Sequence, residues 1–189
     1  MGLDMYAHRK HYVKNWEHQK PEERFSVRVE RGGKPYVGIR TEDISEVCEE
    51  VMYWRKANHI HKWFVDNVQN GEDNCAVYYV GIGELSELLE VCEEVINHSK
   101  LVENEVETVT VAQVAERLNG LMQGIASKVI EDATVAKKLL PTYGGVFYGG
   151  DEYDEYYLDE VVRTRNWLVR MLDDYENGST AHIYYTSSW

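Results

Sequence analysis

Residues 2–8, GLDMYAH, alternate in polarity: Leu3, Met5 and Ala7 fall on one side of an extended chain, Asp4, Tyr6 and His8 on the other. That period of two predicts a strand with one apolar and one polar face. A polar stretch containing Pro21 follows, and then FSVRVERGGKPYVGI, residues 25–39, gives two short alternating runs about Gly32 and Gly33. The pair of glycines between alternating runs predicts a hairpin, and its charge places it at the periphery. From residue 41 the period becomes helical. Thr41 is a suitable N-cap, Glu42 and Asp43 suit the positive end of the helix dipole, and the pattern predicts one helix over residues 41–71.

Residues 75–80, CAVYYV, read as a short apolar strand. ELSELLEVCEEVINH carries Leu85, Leu88, Leu89, Cys92 and Ile96 at helical spacing and predicts a second helix. Residues 99–140 hold helical pieces interrupted by Gly120 and Gly124 and closed by Pro141, which predicts a helical insertion. GGVFYGG reads as a strand between glycine turns, DEYDEYYLDEVVRTRNWLVRMLDDYENG as an acidic-headed helix stopped at Gly178, and AHIYYTSSW as a terminal strand. Strand pieces at both ends and between helices, joined by short links, predict an α+β fold. The expected layout is a small, mostly antiparallel sheet packed by three main helices, in one domain spanning residues 1–189.

Composition narrows the classes. Hydrophobic residues make up 43% and charged residues 28% of the 189, the balance of a soluble globular chain. No apolar run approaches the roughly 18 residues a membrane span needs, and the N-terminus has no apolar signal core. Cys48, Cys75 and Cys92 form no CxxC pair and read as reduced packing residues of a cytoplasmic protein. The net charge of −13 is uneven: through residue 40 nine Lys or Arg face five Asp or Glu, and beyond it eleven face twenty-eight. So acidic a body repels a phosphate backbone, which argues against general nucleic-acid binding. The basic strip Arg9, Lys10, Lys14, Lys20, Arg24, Arg28, Arg31, Lys34 and Arg40, with Tyr12, Trp16 and Phe25 among it, reads either as a solvated edge or as a grip for phosphates and bases.

The segment YWRKANHIHKWF, residues 53–64, carries the candidate chemistry. With Trp54 as zero and about 100° per residue, Asn58 falls at about +40° and His61 at about −20°. Both sit inside the arc that holds Val47, Val51, Val65 and Val68. Lys56, His59, Lys62, Trp63 and Asp66 fall outside it. An inward amide and imidazole must find partners. Either they fasten the helix to the sheet, or they line a pocket for a planar, hydrogen-bonding ligand such as a nucleobase. The candidate ligand set is therefore Trp54, Asn58 and His61 with Asp4, Tyr6 and His8 from the first strand. If the protein is instead a hydrolase or nucleotide-processing enzyme, His61 is the general base and Asp4 its orienting carboxylate. No GxSxG, phosphate loop or HExxH motif is present, so no metal or cofactor is expected. The acidic stretch DEYDEYYLDE, residues 151–160, reads as a helix start suited to the dipole or as a partner surface formed by Tyr153, Asp154, Glu155 and Tyr157.

MGLDMY at the start, YVKNWEHQKPEER, EVMYWRKANHIHKWFVDNVQNGEDNC, LLPTYGGVFYGGDEYDEYYLDE and the terminal YYTSSW together resemble a family of small bacteriophage and prophage proteins. The resemblance covers the chain except for an apparent insertion at residues 99–130, with departures at Glu72 and Asn74. It implies a phage-derived protein in the cytoplasm of a bacterial host and carries no catalytic assignment. The functional expectation is a binding protein, not an enzyme. It acts on host or defence components through a nucleotide-like ligand pocket or through the acidic, tyrosine-rich surface.

Overall fold

The computed structural model describes residues 2–104, 128–145 and 147–189. Four strands form an antiparallel sheet in the order β4-β1-β8-β5: β1 is Asp4–Tyr12, β4 Glu46–Arg55, β5 Tyr78–Val80 and β8 His182–Ser188. Helices α1 (Asn58–Asn67), α2 (Ile82–Asn97) and α4 (Glu155–Glu176) supply the apolar layer against it, and α3 (Thr134–Leu139) is a short addition. The fold is α+β. Two further strand pairs are minor. β2 (Glu30–Arg31) and β3 (Lys34–Pro35) make a hairpin, and β6 (Leu101–Glu103) pairs with β7 (Lys128–Ile130). No helix among the described residues is long and apolar enough to cross a membrane.

The first strand forms as its alternation demands. Leu3, Met5 and Ala7 are fully buried under the helices, and Asp4, Tyr6 and His8 point to the opposite face, where they remain half-buried. The β2–β3 hairpin turns at Gly32 (φ 61°) and Gly33 (φ 73°). Two successive left-handed residues are what a two-residue hairpin of this hand requires, and glycine adopts them without steric cost.

Of the helix expected over residues 41–71 only the stretch Asn58–Asn67, α1, is α-helical. Thr41 opens only a three-residue helical turn, Thr41–Asp43, and residues 46–55 are strand. The reason is non-local. EVCEEVMYWR carries β-branched and aromatic residues that suit either period, and β1 offers a ladder broken only by a bulge at Val51, with Met5 opposite Trp54, Tyr6 opposite Tyr53 and Tyr12 opposite Glu46. Across that ladder Arg9 Nε reaches Glu49 Oε2 at 2.7 Å and His11 Nε2 lies 2.8 Å from the same oxygen. Arg9 also pairs with Asp174 of α4. Its two carboxylate partners raise the Arg9 pKa and Arg9 in turn lowers that of Glu49.

Strand β4 is an edge, and edge carbonyls invite pairing with another chain. Here α4 covers two of them: Arg170 Nη2 donates to Val51 O at 3.1 Å and Arg163 Nη2 to Tyr53 O at 3.3 Å. The strand ends at Lys56, whose φ of 60° turns the chain sharply, and α1 begins two residues later. Gly149 packs against that corner. A Cβ there would meet Lys56 O at 2.6 Å, so no larger residue fits without displacing backbone.

Other departures are smaller. The strand expected over 75–80 is only Tyr78–Val80, because Asn74 Oδ1 accepts from Ala76 N and Cys75 adopts φ 57°. In the GGVFYGG segment the described residues form a turn rather than a strand, since their backbone is held by side chains from α1. Within the expected helical insertion the structure shows the β6–β7 pair and α3. The remainder of that expectation, residues 105–127, lies outside the described residues. The acidic-headed helix forms but starts later than read, at Glu155: Asp154 is its N-cap, with Oδ1 accepting from Tyr157 N at 2.9 Å, and Asp151–Tyr153 precede it.

At the centre of the core the Trp54 indole packs edge-on to Phe64 and Trp167, with ring centroids 5.9 and 5.3 Å away. Its Nε1 donates to Thr164 Oγ1 at 2.8 Å, and the Thr164 hydroxyl donates in turn to Glu160 O at 2.7 Å. Replacing Thr164 with valine keeps the shape and leaves the indole N–H without an acceptor in a dry site. We expect a loss of about 1–3 kcal/mol, read as a lowered urea midpoint with an unchanged m-value.

Candidate functional site

Asn58 and His61 face inward as read, although the helix that suggested it is shortened to α1. Both lie in the first turn of α1, 2% and 0% exposed. His59 and Trp63, expected on the outer arc, are buried as well at 4% and 6%. The helix is short and enclosed on several sides, by β8, by the 143–150 loop and by Tyr157 of α4, so more than one of its faces is interior.

Asn58 is a fastener. Its Nδ2 donates to Gly150 O at 2.8 Å and Tyr148 O at 3.3 Å, and its Oδ1 accepts from Tyr143 N at 3.0 Å. One amide thereby ties Tyr143, Tyr148 and Gly150 to α1. His61 is a bridge. Its Nδ1 lies 2.7 Å from Tyr185 Oη and its Nε2 3.0 Å from Asp73 Oδ2. A carboxylate only accepts, so Nε2 carries the proton, and in the neutral ring Nδ1 accepts from the tyrosine.

Asp73 is the residue that sequence reasoning missed. It collects donors from three remote segments: His61 Nε2, Tyr148 Oη at 3.1 Å and Trp189 Nε1 at 2.9 Å. Its side chain keeps 17% exposure. Burial, and after it the charge on Asp73, pushes the Tyr148 and Tyr185 hydroxyls above their ordinary range, so both stay protonated as donors. Asp73 stands in a polar loop, GEDN, with no periodicity to mark it. The legible signal was only a buried imidazole in need of a partner.

The other candidates separate. Asp4 cannot orient His61, because the pleat sends Asp4 to the outer face of β1 while His61 lies under the inner face. Asp4 Oδ1 instead accepts from Tyr53 Oη at 2.5 Å and raises that phenol's pKa. Tyr6 and His8 share the outer face, with Tyr6 stacked on His8 at 6.1 Å and tilted against Tyr53 at 5.3 Å. Trp54 is fully buried and presents no stacking wall. With both nitrogens occupied inside the protein, His61 has none left to receive a substrate proton.

The partner-surface residues are mostly spent on the fold. Tyr157 is buried, and its hydroxyl donates to Leu140 O at 2.9 Å. Tyr153 Oη accepts from Thr142 N at 3.1 Å, and Asp154 caps its helix. Glu155 opens α4, and Tyr156 is the exposed ring of the stretch. The cysteines are free. Cys92 is buried, its thiol pushed up to about 12 by desolvation, whereas Cys48, expected in packing, is exposed near the outer end of β4. Among the described residues no cluster of three or more His, Cys, Asp or Glu side chains is arranged to hold a metal ion.

What remains open to solvent is an aromatic rim over Asp73. Tyr148 contacts Tyr143 and Trp189, with centroids 5.9 and 6.2 Å apart, and it meets His61 edge-on below at 5.7 Å. Tyr143, Phe147 and Trp189 are 39%, 50% and 50% exposed. Lys62 Nζ lies 5.5 Å from the Tyr143 ring. Comparison with protein families, curated proteins and solved structures finds no match to this chain.

Two outcomes follow for this site. Asp73→Ala strands three donors, one of them on a buried ring, and is expected to lower stability by about 2–3 kcal/mol, measured by urea unfolding, with Trp189 emission shifting to the red. His59 gives a pH signature. Burial lowers its pKa from 6.5 to about 3, and its Nε2 has no partner among the described residues. The unfolded state then binds more protons between these values, so stability is complete above pH 6.5 and declines toward pH 3. The slope contributed is up to about 1.4 kcal/mol per pH unit. His59→Phe should flatten that part of a denaturant-midpoint profile.

Proposed function

We propose that this is a phage-derived binding protein that takes a planar, hydrogen-bonding ligand of the nucleobase type on the rim formed by Tyr143, Tyr148 and Trp189. The phage setting rests on the resemblance carried by MGLDMY, the YWRKANHIHKWF segment and YYTSSW. The observation that carries the ligand reading is Asp73. A carboxylate with three internal donors holds a tyrosine and a tryptophan from remote segments beside a solvent-facing surface. Rings pinned in this way are preorganised to stack on a flat solute at little entropic cost. The remaining exposure of Asp73 leaves an acceptor for an amino group, and Lys62, paired with Asp66 at 2.6 Å, lies at the margin.

A panel of nucleotides, nucleosides and free bases tests it by thermal shift and by Trp189 fluorescence. At least one member should raise the melting temperature and quench emission. Trp189→Ala or Tyr143→Ala should then weaken binding roughly tenfold or more, since one aromatic–base stack is worth about 1–3 kcal/mol. A panel without any shift or quench rejects the reading.

A further inference from the structure

Between β1 and β4 the chain leaves the body entirely. No residue from 14 to 45 is buried. Among the described residues, every hydrogen bond and ion pair of residues 14–44 stays inside the segment. Asn15 Nδ2 donates to Phe25 O and Asn15 Oδ1 accepts from Phe25 N, both at 2.8 Å, and Arg24 holds Gln19 O and Glu17 O. This arm has internal order of its own. Its side chains are not those of a solvated loop: Trp16, Phe25, Tyr36 and Ile39 are about half exposed and Val37 is 94% exposed. Apolar side chains held outward in a structured segment mark a contact surface.

Charge selects the occupant. Residues 14–40 hold seven Lys or Arg against four Glu, a net of +3, which leaves −16 for the rest of the chain. Helix α2 concentrates part of that deficit. It carries Glu84, Glu87, Glu90, Glu93 and Glu94 and no Lys or Arg, and the last four are exposed. Among the described residues, Glu94 Oε1 lies 3.5 Å from His98 Nδ1. Like charges at spacings of three and four repel along a helix, and a cationic arm relieves that repulsion. A nucleic acid would meet the arm's cations and also the acidic body behind them. A second copy of this chain presents the complementary charge itself. The arm's length also fits, because a stable interface takes about 20–30 residues from each side.

We propose that the arm docks on the α2 glutamate row of a second copy, and that reciprocal docking closes a two-fold dimer. The test uses sedimentation velocity on the whole chain and on two charge reversals in exposed positions. One reverses the arm (Arg28→Glu, Arg31→Glu, Lys34→Glu) and the other reverses the helix (Glu87→Lys, Glu90→Lys, Glu94→Lys), with folding of each checked by circular dichroism. The wild type should sediment as a dimer that dissociates as salt rises. Each reversal alone should be monomeric, because arm and helix then carry like charge. Mixing the two reversed chains should restore a dimer, since both docking contacts of the mixed pair are again opposite in sign. A wild type that stays monomeric at the highest concentration reached overturns the proposal. So does a dimer indifferent to both reversals, or an arm that binds single-stranded oligonucleotides while the protein remains monomeric.

Discussion

The structure depends on the pairing of residues 4–12 with residues 46–55. Strand β1 lies between β4 and β8, so its ladder with β4 decides how everything that follows is oriented. Setting Met5 opposite Trp54 sends the indole inward to Thr164 and Trp167 and, by the alternation of the pleat, turns Tyr53 outward to Asp4. The ladder runs out at Lys56, and the left-handed turn there launches α1 with Asn58 and His61 facing the interior. A shift of one residue in that register would expose the tryptophan and bury the tyrosine.

The same constraint accounts for the placement of both proposed surfaces. Because β1 and β4 pair from Asp4–Arg55 to Tyr12–Glu46 with one bulge between, the residues between them are excluded from the sheet and must form an excursion beyond Tyr12 and Glu46. Inside, because α1 starts where β4 ends, His61 reaches β8 through Tyr185 and the following loop through Asp73. The polar chain Tyr185–His61–Asp73 therefore links a core strand to a solvent-facing rim. Fully partnered, it holds three segments in one arrangement, which is the use a buried polar network serves best.

Charge is distributed in keeping with this division. Cross-strand and strand-to-helix pairs neutralise Arg9 and Lys10 on the body, so those two residues leave the basic strip that the sequence suggested. The other cations of that strip lie in residues 14–40, and α2 carries four exposed glutamates.

Local pattern alone determined a good deal. The two faces of the first strand, the Gly32–Gly33 hairpin, the two longer helices, the terminal strand and the α+β class all follow from periodicities that a short window contains, because each such element satisfies its own backbone or hides one regular face. The inward placement of Asn58 and His61 was also legible, since an apolar surround survives a change of secondary structure. Tertiary pairing decided the rest. Residues 46–55 carry both periods, and only the presence of β1 forty residues away made the extended form the lower in free energy. The partner of His61 was beyond reach for the same reason. Which carboxylate meets a buried imidazole depends on which strand face it sits under, and that is a property of the sheet rather than of any neighbouring residue.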